Sequence, residues 1–273
     1  WRTPASSAAS PSAGVSSRFS DTMVPPRRVT ASERVVAAPP SREGTSPRLV
    51  LRRALLRAAS AAGLHQAMSF AFCSRADLER ARVSTDAVPL ENPLSEAQAV
   101  LRTALLPGLA AAAGHARRHG ARRIRLFELG RVFSPSKEEL PTETERLALF
   151  LLGEAEGWVG ESRELDFYDL KGALESIAVE AIGGGVRVEL DREPPPHLHP
   201  RRAAKVYADD VFLGHLGELH PELCEDFDLG GRGIYAELEV DALFAAKVSR
   251  GAPKASALPR FPGSSRDVAL LVD

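Results

Sequence analysis

The spacing of apolar residues predicts a first helix that begins close to residue 47. Leu51, Ala54, Leu55 and Ala58 fall on one face of such a helix, and Gly63 is suited to end it. Capping residues and prolines predict further helices that begin at or next to Ser74, Pro107, Asp166 or Asp169, Pro221 and Asp241. Helices are therefore expected at intervals along the central part of the chain.

Apolar runs between these helices predict strands. We expect strands at residues 67–73, 124–133, 147–152, 186–190, 205–208, 211–216 and 234–240. Only Asp209 and Asp210 separate two of these runs, which indicates a tight hairpin turn. Because the strands alternate with helices without regular βαβ repeats, the pattern predicts an α+β fold around an antiparallel sheet.

The two ends of the chain differ in pattern from its centre. Residues 1–46 are rich in Ser, Pro, Ala and Arg, and we predict a disordered segment or linker; a remnant of a preceding small domain and a mis-read frame are the alternatives. Residues 47–250 form the predicted core, 251–260 a linker and 261–273 a final strand. The chain lacks an initiator Met and stops inside a strand pattern, so we expect it to be a fragment.

Composition narrows the class of protein. Hydrophobic residues make up 44% and charged residues 26% of the 273 residues, as in ordinary globular proteins. The net charge of −1 means that any attraction for nucleic acid must come from a local patch. Cys73 and Cys224 show no metal-binding spacing, and no apolar run reaches the roughly 18 residues of a membrane span. We therefore expect a cytoplasmic protein.

One predicted strand resembles a catalytic motif but lacks its catalytic residues. Residues 124–133, IRLFELGRVF, resemble the strand of the second signature motif of class II aminoacyl-tRNA synthetases. In catalytic members that strand runs on into Arg-x-Glu, whose planar guanidinium holds the ATP α-phosphate and the amino-acid carboxylate. Here the continuation is Ser134-Pro135-Ser136. The glycine-rich residues 230–233 lie about where the third motif would be, and their continuation, residues 234–239, lacks the arginine of that motif. The resemblance implies a synthetase-like frame without adenylation chemistry.

Further segments resemble one family in order. They are NPLS at 92–95, LRTALLPGL at 101–109, LFELGRVF at 126–133, DFYDLKG at 166–172, LHP at 198–200, LGELHP at 216–221, YAELE at 235–239, FP at 261–262 and RDVAL at 266–270. Together they are similar to the catalytic-like module of the beta subunit of bacterial phenylalanine–tRNA ligase, over about residues 45–273.

This resemblance implies a function as well as a fold. It implies a class II synthetase-like core, with residues 261–273 as the first strand of a truncated ferredoxin-like anticodon-binding domain. The chain would be a non-catalytic fragment of the beta subunit, supporting ATP-dependent attachment of phenylalanine to its tRNA by an alpha subunit in an α2β2 heterotetramer. The whole enzyme would use ATP and Mg2+, neither bound by this fragment. A stand-alone module that binds tRNA or protein is the alternative.

A cluster of basic residues is the candidate contact surface. Its members are Arg117, Arg118, His119, Arg122, Arg123 and Arg125. Clustered arginines neutralise phosphates, but no aromatic residues are interleaved here to stack on bases. Arg117, Arg118, Arg122 and Arg123 are therefore candidate tRNA or partner contacts through charge, and a solvated helix end is the equally supported alternative.

Other polar residues are interpreted as structural. Arg102 occupies a position where class II enzymes contact substrate, but one cation cannot assemble an adenylating site, so we interpret it as a brace. Glu128 on the motif-like strand is interpreted as a paired structural residue. No nearby Cys or acidic residue completes a four-ligand zinc site around the histidines and the cysteine at His197, His199, His220 and Cys224. We predict no catalytic, cofactor-binding or metal-ligating residue.

Overall fold

The computed structural model describes residues 45–155 and 162–250. Its helices are α1 (Pro47–Ala61), α2 (Arg75–Arg80), α3 (Leu106–Arg118), α4 (Phe167–Ile182), α5 (Pro221–Asp226) and α6 (Val240–Arg250). Its strands are β1 (His65–Gln66), β2 (Phe72–Cys73), β3 (Val100–Leu101), β4 (Arg123–Ser134), β5 (Thr142–Gly153), β6 (Arg187–Leu190), β7 (Leu198–Ala208), β8 (Val211–Leu219) and β9 (Ile234–Glu239). A single 3-10 turn at Glu96–Gln98 precedes β3.

The sheet is almost entirely antiparallel. Within the described ranges, seven strands pair in the order β1-β4-β5-β9-β8-β7-β6, and only the β1–β4 pairing is parallel. The strands β2 and β3 form a separate antiparallel pair. The predicted α+β fold with an antiparallel sheet is confirmed.

Helices cover the two faces of the sheet unequally. The helices α1, α4 and α6 pack on one face, over apolar residues such as Phe127, Leu149 and Leu238. On the other face, α3 and α5 pack over a smaller apolar area that includes Phe150 and Tyr235. Polar side chains occupy the rest of this second face, and the candidate site lies there.

Most helix ends agree with the sequence pattern. Asp166 caps α4, and its carboxylate accepts the backbone N–H groups of Tyr168 and Asp169 while Asp169 bonds back to the Asp166 N–H. Ser74 and Asp77 form the same reciprocal box at α2. Gly63 follows α1 with a φ of +78°, a conformation that glycine adopts without steric cost. These caps are local, so the sequence alone identifies them.

Some element boundaries predicted from sequence are wrong. Residues 67–73 are not one strand: β1 ends at Gln66 and β2 begins at Phe72. The intervening segment leaves the sheet edge because its polar centre, Ser69, turns towards a buried carboxylate. The helix α6 begins at Val240, so Asp241 lies in its first turn and is not its cap.

Several predictions fall outside the described residues. They are the linker or disordered segment at 1–46, except for residues 45 and 46, the linker at 251–260 and the strand at 261–273. Among the described residues, no helix is long and apolar enough to cross a membrane.

Candidate functional site

A buried ion pair lies on the motif-like strand β4. Arg102 is 7% exposed and Glu128 2% exposed, and their Nη1 and Oε1 atoms are 2.7 Å apart. The Arg102 Nε also donates to the Arg131 carbonyl at 2.9 Å. Gly130 is needed beside them, because a Cβ there would stand 2.4 Å from the Arg102 Nη2. Strand β4 is therefore shaped around this guanidinium, and the interpretation of both residues as structural agrees with the geometry.

Ser69 completes what we call the clamp, the three residues Arg102, Glu128 and Ser69. The Ser69 hydroxyl donates to Glu128 Oε2 at 2.7 Å and accepts from Arg102 Nη1 at 2.8 Å. Gly108 of α3 lies against it so closely that an added Cβ would meet the Ser69 Oγ at 2.4 Å. Both members of the buried pair thus gain a hydrogen-bond partner in Ser69, as a buried charge pair requires.

Backbone hydrogen bonds fix the segment on both sides of Ser69. The Ala67 N–H donates to the Phe127 carbonyl at 2.8 Å, and the Ala71 carbonyl accepts from the Arg102 N–H at 2.9 Å. Residues 67, 69 and 71 are thereby tied to the body of the protein. The alternate side chains must then face outward.

Those outward side chains form an exposed apolar strip, defined as Met68, Phe70 and Phe72. Their exposed fractions are 87%, 74% and 41%. A single exposed apolar residue is ordinary, but a rigidly held row of large ones is typical of a surface that contacts a partner. The strip is a surface feature that the predicted strand at 67–73 did not reveal, because its exposure follows from Ser69 facing the clamp.

The predicted basic cluster is divided by the structure. Arg117 reaches the carbonyls of Ala121 and Gly230, at 3.3 and 3.5 Å, and Arg118 pairs with Asp228 at 3.2 Å. Both arginines therefore hold the loop between α5 and β9 against α3.

The rest of the cluster lies at the start of β4. Arg125 donates to the Ala62 carbonyl at the end of α1, at 3.2 Å, so it caps that helix. Arg122 and Arg123 are exposed, and Arg122 has no side-chain partner in the described part of the chain. These two remain the members of the cluster best placed to reach a partner.

A polar cleft of about 680 Å³ lies on the less covered face of the sheet. The register aligns Lys205, His215, Glu237 and Ala148 across β7, β8, β9 and β5, so their side chains share that face. Residues 82–86 and 195–197 form the other walls. Sequence analysis missed this site, because it is assembled from residues far apart in the chain.

The charged residues of the cleft pair with one another. Arg146 Nη1 lies 2.9 Å from Glu237 Oε1, and Nη2 lies 3.8 Å from Glu239. The buried Tyr235 hydroxyl donates to the other Glu237 oxygen, and burial together with Glu237 raises the pKa of Tyr235 well above its usual value. The Arg146 Nε is buried and has no hydrogen-bond partner among the described residues.

Two histidines of the cleft are neutral at pH 7. His215 Nδ1 lies 3.0 Å from Asp191 Oδ2, yet burial outweighs this carboxylate and lowers the pKa of His215. Burial lowers the pKa of His197 to about 4, and His215, once it is protonated, and Arg146 act in the same direction. The cleft therefore presents uncharged imidazoles beside charges that are already paired.

The other histidines belong to local turns. His199 Nδ1 accepts from the Arg201 N–H at 3.1 Å, and His220 Nδ1 accepts from the Glu222 N–H at 3.3 Å, where it caps α5. In the described ranges, no group of three His, Cys, Asp or Glu side chains could hold a metal ion.

Comparison with known proteins gives a consistent result. A family model described as phenylalanyl tRNA synthetase beta chain CLM domain matches residues 32–240. The chain is 39% identical over 212 residues to the phenylalanine–tRNA ligase beta subunit of Xanthomonas campestris pv. campestris (strain 8004), and 41% identical over 213 residues to that of Xylella fastidiosa (strain Temecula1). Each match covers 77% of this chain and 26% of the relative, so the chain spans about a quarter of their length.

Among solved structures, the fold is similar to pyrrolysyl-tRNA synthetase from Desulfitobacterium hafniense. The TM-score is 0.56 at 17% sequence identity, covering 74% of this chain and 70% of that one. At this identity the likeness shows the fold alone, and it supports the synthetase-like part of the predicted fold.

Breaking the clamp is expected to destabilise the protein strongly. Arg102→Met or Glu128→Gln leaves a buried partner uncompensated, which should lower the free energy of unfolding by about 3–5 kcal/mol. The double variant Arg102→Met, Glu128→Gln should lose less than the sum of the two single effects, since neither charge remains. Urea denaturation of the full chain measures all of these values.

The control for the clamp is an exposed ion pair. Arg232→Met removes a partner of Glu164 at the surface and should cost less than about 1 kcal/mol. Clamp variants that cost no more than Arg232→Met would show that the buried pair does not hold the strip.

His197 is expected to make stability fall with acid. Its folded pKa of about 4 lies below the roughly 6.5 of an unperturbed histidine, so between these values the unfolded chain binds more protons. The free energy of unfolding should therefore decrease as pH falls from about 6.5 to about 4. His197→Gln should make this decrease shallower, with His215 still contributing. The free energy of unfolding would be measured by urea denaturation at successive pH values. If it falls with pH equally steeply in the wild type and in His197→Gln, the assignment is contradicted.

Proposed function

Because the chain belongs to the family of phenylalanine–tRNA ligase beta subunits, we propose that it is a non-catalytic part of such a subunit whose function is to dock an alpha subunit. The alpha subunit would carry out ATP-dependent attachment of phenylalanine to tRNA, in a cytoplasmic α2β2 enzyme that uses ATP and Mg2+. The names of the relatives support the subunit role, and the geometry of the apolar strip supports docking.

The single observation behind this proposal is the apolar strip on its clamp. Large apolar side chains are held outward by a segment that is fixed at every inward residue. Such a surface gains affinity on binding because little conformational entropy remains to be lost. Aromatic residues and Met are also enriched where protein interfaces are most buried. An alpha subunit is the occupant, since the matching relatives are by name one subunit of a larger enzyme.

The charged residues near the motif-like strand support the non-catalytic part of the proposal. Arg102, Arg131 and Arg146 each pair with a glutamate, and the sequence that follows β4 is Ser134-Pro135-Ser136. A nucleoside triphosphate needs free cations for its phosphates and a carboxylate for its metal. The residues here do not fit that requirement.

Substitution of the strip is expected to weaken alpha-subunit binding. Met68→Ser or Phe70→Ser should each cost about 2 kcal/mol of binding free energy, roughly a 30-fold loss of affinity, because buried apolar anchors dominate interfaces. The chain, completed with its missing flanks, would be co-expressed with the alpha subunit, and affinity would be measured on the purified components. Leu140→Ser, at an exposed leucine between β4 and β5, is the matched control.

Two results would contradict the docking proposal. One is that the completed chain never co-purifies with the alpha subunit, which would favour a stand-alone tRNA or protein binding module. The other is ATP–pyrophosphate exchange with phenylalanine by the chain alone, which would indicate a self-sufficient adenylating enzyme.

Arg122 and Arg123 are expected to contribute a salt-dependent term to tRNA binding. Removing two phosphate contacts with Arg122→Ala and Arg123→Ala should reduce the slope of log affinity against log salt by up to about two. The control pair Arg192→Ala and Arg201→Ala removes two exposed arginines at or near the opposite edge of the sheet. If the slope changes equally with both pairs of substitutions, or with neither, the basic cluster is a solvated surface and not a tRNA contact.

A further inference from the structure

The polar cleft carries hydrogen-bonding and aromatic groups that have no role in docking through the apolar strip. Its walls carry the imidazoles of His197 and His215, the aromatic ring of Phe212 and the guanidinium of Arg146. A volume of about 680 Å³ lies within the usual range of small-molecule sites, and pockets that gather groups with shifted pKa values are frequent binding sites. The question is which ligand these groups would accept.

Anionic ligands do not suit the cleft. Its two arginines already pair with carboxylates, Arg146 with Glu237 and Arg82 with Glu222, so a phosphate would find no free cation there. Glu237 in turn is satisfied by Arg146 and Tyr235, which leaves it little capacity for an added amine or metal ion. Two exposed carboxylates, Asp86 and Glu239, also line the cleft and repel anions, and the other groups left to bind a ligand are uncharged.

Those uncharged groups include both acceptors and donors. His215 uses its Nδ1 towards the fully buried Asp191, so its Nε2 is the nitrogen left for a ligand. His197 is neutral and packs edge-on against the Tyr235 ring, at a centroid distance of 5.9 Å. A neutral imidazole carries one N–H donor and one acceptor nitrogen. A neutral ligand that both donates and accepts hydrogen bonds therefore suits the cleft.

Phe212 adds a surface for stacking. The side chain is 45% exposed although it lies on the sheet, and its ring centroid is 5.2 Å from that of His215. Pro195 and Pro196 add apolar surface to the lining of the cleft. Exposed aromatic rings in polar grooves bind the flat faces of heteroaromatic rings.

We propose that this cleft is a binding site for a neutral, planar heteroaromatic ring of the nucleobase type, stacked on Phe212 and hydrogen-bonded to His197 and His215. The site is separate from the apolar strip and does not depend on the docking function. The base could belong to a free nucleoside or to an unpaired nucleotide of RNA, since the ring chemistry is the same.

Titration calorimetry on the full chain tests the proposal with adenosine, guanosine, cytidine, uridine, adenosine monophosphate, inorganic phosphate and a short single-stranded oligoribonucleotide. At least one nucleoside or the oligonucleotide should bind saturably with a dissociation constant of about 1 mM or below. Adenosine monophosphate should bind no more tightly than adenosine, and inorganic phosphate should not bind. Similar affinity for nucleoside and oligonucleotide supports a small-molecule ligand, and a much tighter oligonucleotide supports an RNA base.

Variants of the stacking ring provide the matched comparison. Phe212→Leu should weaken binding about 5- to 150-fold, the range expected for loss of one base–aromatic stack, and Phe212→Trp should retain it. Tyr168→Leu changes an exposed aromatic residue outside the cleft and should have no effect. The proposal is overturned if no nucleoside or oligonucleotide binds, if Phe212→Leu and Tyr168→Leu behave alike, or if phosphate alone competes for the site.

Discussion

The buried ion pair between Arg102 and Glu128 lies where three segments that are far apart in the sequence meet. It joins β4 to the residue that follows β3, and through Ser69 it holds the segment between β1 and β2. Burying two charges costs several kcal/mol for each ion, so the pair is favourable only when every lone pair and proton is used. That condition explains why Gly130 and Gly108 lie beside the clamp, since a Cβ at either position would displace a member.

The clamp also determines what the surface presents. Once residues 67, 69 and 71 are bonded inward, the pleat of an extended chain turns Met68, Phe70 and Phe72 outward. A strand that followed the sheet edge would have paired its backbone with β4 and buried part of this apolar surface. The cost of exposing three large side chains is offset only when another surface covers them, and this is the physical argument for the docking that we propose.

On the same face of the sheet, a second network of charged residues also pairs within itself. Arg146, Glu237 and Tyr235 satisfy one another across β5 and β9, just as Arg102 and Glu128 do across β4. In a catalytic synthetase, cations on such a frame would bind phosphates. Here each is neutralised by a neighbouring carboxylate, and the cleft between them offers neutral imidazoles and an aromatic ring instead.

The sequence by itself determined the α+β class, the motif-like strand and the family, and it located helix starts at Ser74 and Asp166. Those features depend on neighbouring residues, because a cap or a hydrophobic period acts within a few positions of the chain. Tertiary structure alone decided that Ser69 turns inward, that Arg125 caps α1 while Arg122 stays exposed, and that His197, His215 and Phe212 meet in one cleft. Each of these outcomes depends on strand register and on the burial of charge between distant segments. Strand register and charge burial are both established only when the sheet has assembled.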